Sequence, residues 1–102
     1  MKIKDLPKVD RPREKLLKYG TDKLLNQELL AILLGAGIKG VNVVELSKNI
    51  LKVIDKIGIE KISIENLKDV RGLGEAKSLQ IISSLELGRR LLKGKRAWNM
   101  LR

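Results

Sequence analysis

The short turn Gly72-Leu73-Gly74 is the part of the sequence whose residue types and spacing best suit chemistry, namely the binding of an anion. Gly72 can adopt a positive φ and lets a ligand approach the backbone closely, and Leu73 is expected to fill the space between two helices. Gly74 would expose the first N–H groups of the following helix, which attract anions together with the positive end of the helix dipole. Lys77, one turn into that helix, would complete a phosphate site.

The side chains beside this turn modify the expected site. Arg71 adds positive charge on one side and Ser78 adds a hydroxyl on the other, whereas Glu75 places an unfavourable negative charge at the helix N-terminus. If Lys77 pairs with a phosphate, replacing Lys77 by Ala would weaken binding and reduce its salt dependence by about one unit. The alternative is that the glycines only join two helices tightly.

This arrangement resembles the helix-hairpin-helix motif, which binds the DNA backbone in many repair proteins. An element of this kind contacts phosphates rather than base edges, so binding without sequence preference is expected. A looser copy lies upstream at Gly35-Ala36-Gly37, where Lys39 alone offers positive charge. Because Ala36 is small and no cation stands where Lys77 does, a mainly structural role is favoured for the upstream turn.

The charged residues are unevenly distributed along the chain. The 102 residues include 22 Lys and Arg against 12 Asp and Glu, giving a net charge of +10. Residues 1–18 carry a net charge of +4, residues 19–87 are neutral overall, and residues 88–102, which include Arg89 and Arg90, carry +6. This excess favours a polyanionic partner such as nucleic acid, and a solvated basic surface is the alternative interpretation.

The absence of histidine and cysteine from the sequence excludes several kinds of active site. The usual zinc and copper centres, thiol nucleophiles and histidine bases all need one of these residues. We therefore expect no catalytic residues, no metal and no cofactor. No apolar segment reaches the length of about 18 residues that spans a bilayer, and no signal peptide is evident. A cytoplasmic protein without a membrane partner is expected.

Glycines, prolines and capping residues divide the sequence into five predicted helices, and no segment alternates apolar and polar residues as a hairpin strand would. Since Tyr19 and Trp98 are the only aromatic residues, Leu, Ile and Val must build the core. An all-α fold is expected, with residues 1–92 as one domain and residues 93–102 as a basic tail. The predicted helices cover residues 13–19, 26–34, 41–57, 64–70 and 75–92, the first capped by Asp10 and the second by Asn26. The last helix is expected to carry its apolar residues Leu79, Ile82 and Leu85 on one line, with Ile81 and Leu92 on an adjoining line.

Several stretches of the chain can be compared with a known family: Asp5-Leu6-Pro7, Arg11-Pro12-Arg13-Glu14-Lys15-Leu16-Leu17, Glu28-Leu29-Leu30-Ala31-Ile32-Leu33-Leu34-Gly35-Ala36-Gly37, Gly72-Leu73-Gly74-Glu75-Ala76-Lys77 and Glu86-Leu87-Gly88-Arg89-Arg90. The runs that begin at Arg11 and Glu28 are specific, whereas the Gly72 turn by itself is not. Together these stretches resemble the N-terminal domain of the RadC DNA repair protein family. The resemblance implies a fold similar to the second domain of the Holliday-junction-binding RuvA protein, with paired helix-hairpin-helix elements. Family members usually continue into a JAB/MPN metalloprotease-like domain, whose metal is held by histidines and an aspartate. That activity is not expected here because the chain has no histidine.

The leading hypothesis is a non-enzymatic domain that binds the DNA backbone independently of sequence, in repair or recombination. The residues predicted to contact DNA are Lys39, Arg71, Gly72, Leu73, Gly74, Lys77, Ser78, Arg89 and Arg90. The alternative is a protein-interaction module that recruits a separate metalloprotease-like domain, with the hairpins serving only to pack helices. The zero net charge of residues 19–87 favours this alternative. Binding to an anionic membrane surface is disfavoured, because no helix combines a basic face with a large exposed apolar face.

Overall fold

A computed structural model describes residues 11–35 and 42–94 of the chain. Within these residues the fold consists of five α-helices and one short 3₁₀ helix, with no β-strand, which confirms the predicted all-α class. The elements are α1 (Pro12–Tyr19), the 3₁₀ helix Thr21–Lys23, α2 (Asn26–Leu34), α3 (Val43–Ile57), α4 (Ile64–Lys68) and α5 (Glu75–Leu92). Every predicted helix is present with ends close to those expected, whereas the 3₁₀ helix was not predicted.

The first two helices begin differently from the prediction. Arg11 occupies the N-cap position of α1 and Pro12 is its first residue, where proline is favoured because its missing N–H would have no helical partner. Asn26 is the first residue of α2 and does not cap it. The Glu28 carboxylate instead accepts the N–H of Leu25 at 2.8 Å and pairs with Lys15 of α1 at 3.2 Å. Glu28 therefore both satisfies the start of α2 and ties α1 to it.

Polar side chains also fix the starts of α3 and α4. Asn42 precedes α3, and its side-chain oxygen accepts the N–H of Glu45 at 2.9 Å. Ser63 and Asn66 bond reciprocally at the start of α4, where the Asn66 side chain accepts the Ser63 N–H at 2.9 Å and the Ser63 hydroxyl accepts the Asn66 N–H at 3.4 Å. A helix as short as the five-residue α4 needs such support, because helix nucleation is unfavourable on its own.

The core is aliphatic and joins four of the five helices and the turn before α5. Helix α2 packs on α3, and α4 packs on α5. Three core side chains, Leu46, Ile50 and Leu67, have no exposed surface. The remaining buried members of the cluster are Ala31, Leu34, Val43, Val70, Leu73 and Ile81.

The buried side of α5 agrees only in part with the predicted one. Ser78 and Ile81 are buried, Ile82 and Leu85 are partly buried, and Leu79 is 45% exposed. The small Ser78 side chain lets α5 approach its neighbours closely, and its hydroxyl donates to the Gly74 carbonyl at 2.9 Å. A buried hydroxyl is costly without such a bond. The prediction is therefore confirmed for Ile81, Ile82 and Leu85 and wrong for Leu79 and for Leu92, which is 91% exposed.

Candidate nucleic-acid interface

The Gly72 turn reverses the chain tightly between α4 and α5. Two successive backbone hydrogen bonds of 3.0 Å, from Val70 to the Leu67 carbonyl and from Leu73 to the Val70 carbonyl, carry the chain out of α4. Gly72 has a φ of +90°, the positive value that the sequence predicted. Leu73 is only 6% exposed and belongs to the core cluster, so it fills the interior of the turn as expected.

The turn leaves the first amides of α5 facing solvent. Gly74 is the N-cap residue in an extended conformation, and the first hydrogen bond of the helix runs from the Ser78 N–H to the Gly74 carbonyl at 3.0 Å. The N–H groups of Glu75, Ala76 and Lys77 therefore precede the helical ladder. Gly74 is exposed, and a Cβ added to it would meet nothing within 4 Å. These amides and the positive end of the α5 dipole can together receive an anion.

The structure places Lys77 and Ser78 differently from the sequence prediction. The Lys77 ammonium is partly buried and donates to the carbonyl of Leu34 at 2.9 Å. Leu34 is the last residue of α2. Ser78 has no exposed surface. This corrects the expectation that Ser78 contacts DNA, since its hydroxyl supports the turn from inside and a ligand cannot reach it.

Gln80 is a residue of this region that the sequence interpretation missed. Its side-chain amide donates to the Leu33 carbonyl, next to the carbonyl that Lys77 occupies. A signal for this contact exists in the sequence, because the last turn of α2 contains no basic residue that could bond to its terminal carbonyls. Such a helix end needs donors from another element.

The exposed charges around the turn nearly cancel. Arg71 is exposed and forms no ion pair with any residue that the structure describes. Asp69 and Glu75 are also exposed and carry the opposite charge. The turn therefore offers backbone dipoles and one exposed guanidinium rather than a basic patch.

Arg89 and Arg90 are not part of the same site. They lie near the other end of α5, at least 14 residues from its first residue Glu75, which corresponds to about 21 Å along a helix. Both arginines bond to Glu86, with Arg89 at 2.6 and 2.9 Å and Arg90 at 2.7 Å. These bonds lower the pKa of Glu86 to about 2, and Glu86 in turn raises the pKa of Arg89. The ionised carboxylate thus offsets one of the two positive charges.

The upstream turn is not a close copy of the Gly72 turn. Gly35 ends α2 with a φ of +80°, as a glycine after a helix commonly does. Residues 36–42 separate Gly35 from α3, whereas only Leu73 and Gly74 separate Gly72 from α5. The predicted contact residue Lys39 lies outside the described residues, as does Gly37.

The described ranges 11–35 and 42–94 contain neither a metal-binding cluster nor a helix that could span a membrane. No group of three or more carboxylate, histidine or cysteine side chains there could hold a metal ion. Among the same residues, no helix has the length and hydropathy required to cross a bilayer.

Most of the chain is similar to one protein family. Residues 3–79 match the family described as UPF0758 N-terminal. A UPF0758 protein of Bacillus licheniformis is 48% identical over 92 residues, covering 89% of this chain and 41% of the relative. A UPF0758 protein of Aquifex aeolicus is 47% identical over 94 residues, covering 92% of this chain and 40% of the relative.

The chain thus spans about two fifths of the length of these relatives. No solved structure matches it. The match confirms the resemblance to the N-terminal region of the RadC family. The family match covers most of the chain, and the similar relatives are themselves UPF0758 proteins. The chain therefore belongs to the UPF0758 family and contains its N-terminal domain.

Proposed function

We propose that this domain binds the phosphate backbone of DNA independently of sequence, without catalysing a reaction. The observation that carries the proposal is the open N-terminus of α5, which follows a positive-φ glycine and a buried leucine and presents three amides ahead of the helical ladder. The helix is 18 residues long, so its dipole is fully developed. A phosphate oxygen is the ligand that best matches this set of donors.

The distribution of charge supports a weak, steered interaction. The near-neutral turn contributes directional hydrogen bonds, while the net charges of +4 in residues 1–18 and +6 in residues 88–102 attract a polyanion over a longer distance. Affinity for DNA of any sequence is expected at about 10⁻⁴ to 10⁻⁶ M at physiological salt. The RadC resemblance supports a cytoplasmic role in repair or recombination, with a helix-hairpin-helix arrangement similar to that of RuvA.

An amide-shift titration tests this function. A short duplex and a four-way junction of mixed sequence are added separately to the labelled chain at low salt. Shifts centred on Gly72 to Lys77 are expected, because phosphate would bond to the amides there. Shifts confined to residues 93–102 would instead assign the binding to the basic tail and contradict the proposal.

Replacing Arg71 by Ala tests the one exposed guanidinium at the turn. We expect weaker binding to all sequences and a salt slope that is shallower by about one unit, because one phosphate contact is lost. Lys48→Ala is the matched control, since Lys48 is an exposed cation on α3, outside the turn. Equal slopes for both variants, measured by fluorescence anisotropy across a salt series, would show that only net charge matters.

A second candidate function, a protein-interaction module, is favoured by a groove of about 820 Å³ that is lined by both apolar and charged side chains, the charged ones being Glu60, Glu86, Arg89 and Lys93. The groove lies between the 59–62 turn and the second half of α5, and its apolar lining residues are Ile59, Ile62, Ile82, Leu85 and Leu92. Leu92 is 91% exposed and Ile59 is 62% exposed, which is unusual for large apolar side chains that line one groove.

The occupant we propose for this groove is a domain like the metalloprotease-like one that follows in RadC family members. More than half of the length of the UPF0758 relatives lies outside the region that this chain matches. The separately expressed remainder of the Bacillus licheniformis relative serves as the probe. Leu92→Asp should weaken its binding at least tenfold, because an exposed apolar anchor is replaced by a charge, and Leu17→Asp on α1 should not. Failure of the parent chain to bind this probe in calorimetry would contradict the second candidate.

A further inference from the structure

The C-terminus of α2 receives side-chain donors from another helix. Among the described residues, the last helical bond runs from the Gly35 N–H to the Ala31 carbonyl, and the carbonyls of Ile32, Leu33 and Leu34 accept no helical N–H there. The last turn of α2 has no basic residue of its own. Partly buried carbonyls without donors are costly, and the negative end of the helix dipole adds to that cost.

Helix α5 supplies both donors from its first two turns. The Lys77 ammonium donates to the Leu34 carbonyl at 2.9 Å, and the Gln80 side-chain amide donates to the Leu33 carbonyl. Residues three apart lie on the same face of a helix, so the two side chains reach α2 together. Because Lys77 is also one of the three residues whose amides precede the α5 ladder, this contact joins the open end of α5 directly to α2.

We propose that Lys77 and Gln80 are positioning residues that hold the amides of Glu75, Ala76 and Lys77 in place for a phosphate, and that the Lys77 ammonium does not itself pair with DNA. This inference rests on the proposed DNA binding. It replaces the sequence expectation that Lys77→Ala removes one phosphate ion pair. The guanidinium of Arg71 and the amides make the contacts, while the cation of Lys77 remains with the carbonyl of Leu34.

The salt dependence of binding separates the two roles. Each ion pair with a phosphate releases counterions and adds about one unit to the slope of log K against log salt. A cation that bonds only to a carbonyl does not add to that slope. Loss of positioning therefore lowers affinity at every salt concentration by a similar factor and leaves the slope unchanged.

Three variants test the proposal by anisotropy on a short mixed-sequence duplex. Lys77→Met removes the donor while keeping the length of the side chain, and we expect about three- to tenfold weaker binding with an unchanged slope. Lys77→Gln keeps a donor without the charge and should restore binding to within about twofold of the parent. The Gln80 side chain is exposed and uncharged, so Gln80→Ala removes a donor without changing the net charge. It should lower the affinity by about the same factor as Lys77→Met, again with an unchanged slope.

The outcomes are distinct. A slope reduced by one unit in both Lys77→Gln and Lys77→Met would assign the ammonium to a phosphate and overturn the positioning role. Parent affinity in both Lys77→Met and Gln80→Ala, with only the unfolding temperature lowered, would also overturn it, because the contacts would then serve stability alone. If the parent chain itself binds no duplex, with no shifts at Gly72 to Lys77, the proposed function fails independently of the variants.

Discussion

Replacing Leu73 by Ala is expected to lower the free energy of unfolding by about 2–5 kcal/mol, since truncation of a core leucine loses its burial and leaves a cavity. Leu73 is 6% exposed and shares the core cluster with Leu67, Val70 and Ile81. Domains of this kind are stable by only about 5–15 kcal/mol, so the loss is a large part of the total. Urea unfolding followed by circular dichroism should give a lower midpoint with an unchanged slope.

Leu79→Ala provides the matched control for this prediction. The chemical change is the same, but Leu79 is 45% exposed and lies outside the core cluster. We expect its effect on the free energy of unfolding to stay below about 1 kcal/mol. Similar losses in the two variants would mean that Leu73 does not fill the turn. In the folded Leu73→Ala protein, DNA affinity should also fall because the amides of α5 lose their support.

Replacing Gly72 by Ala is the second large effect that we expect. The φ of +90° at Gly72 is strained for any residue with a Cβ, at a cost of about 1–3 kcal/mol. The turn can relieve this strain only by moving the start of α5, so DNA binding should weaken as well. Thermal unfolding and anisotropy measure the two consequences.

Gly88→Ala is also a glycine-to-alanine substitution, but we expect it to raise the free energy of unfolding rather than lower it. Gly88 lies inside α5, and a Cβ built there meets nothing within 4 Å. Alanine is the better helix former, so we expect a gain of up to about 1 kcal/mol in the free energy of unfolding. Stabilisation by Gly72→Ala as well would show that the turn does not need a positive φ.

The helices could be predicted because their determinants are local. Gly20, Gly35 and Gly58 follow the last residues of α1, α2 and α3, and Pro12 and Ser63 mark the starts of α1 and α4. Such signals act within one turn and can be read directly from the sequence. The Gly72 turn was predictable for the same reason, including the positive φ and the buried leucine.

The sequence-based predictions that were wrong or incomplete concern contacts between residues that are far apart in sequence or that share a helix face. Lys77 and Gln80 reach carbonyls more than 40 residues earlier. The missing basic residue at the end of α2 indicates that a donor is needed, but no local pattern indicates which side chain supplies it. On α5, the burial of Ser78 was missed because a buried serine does not stand out in a hydrophobic pattern. The pairing of Glu86 with Arg89 and Arg90 could have been read from their spacing of three and four residues.

The pairing of Glu86 with Arg89 and Arg90 near the end of α5 also makes one contribution to how stability changes in acid. Because the pKa of Glu86 in the folded chain lies near 2, below the ordinary value of 4.5, its pairing favours the folded state above about pH 4.5 and is lost as the pH falls towards 2. Throughout the neutral range this carboxylate stays ionised and the cluster keeps one net positive charge. The charge of the Glu86, Arg89 and Arg90 cluster is therefore constant near neutrality and changes only in acid.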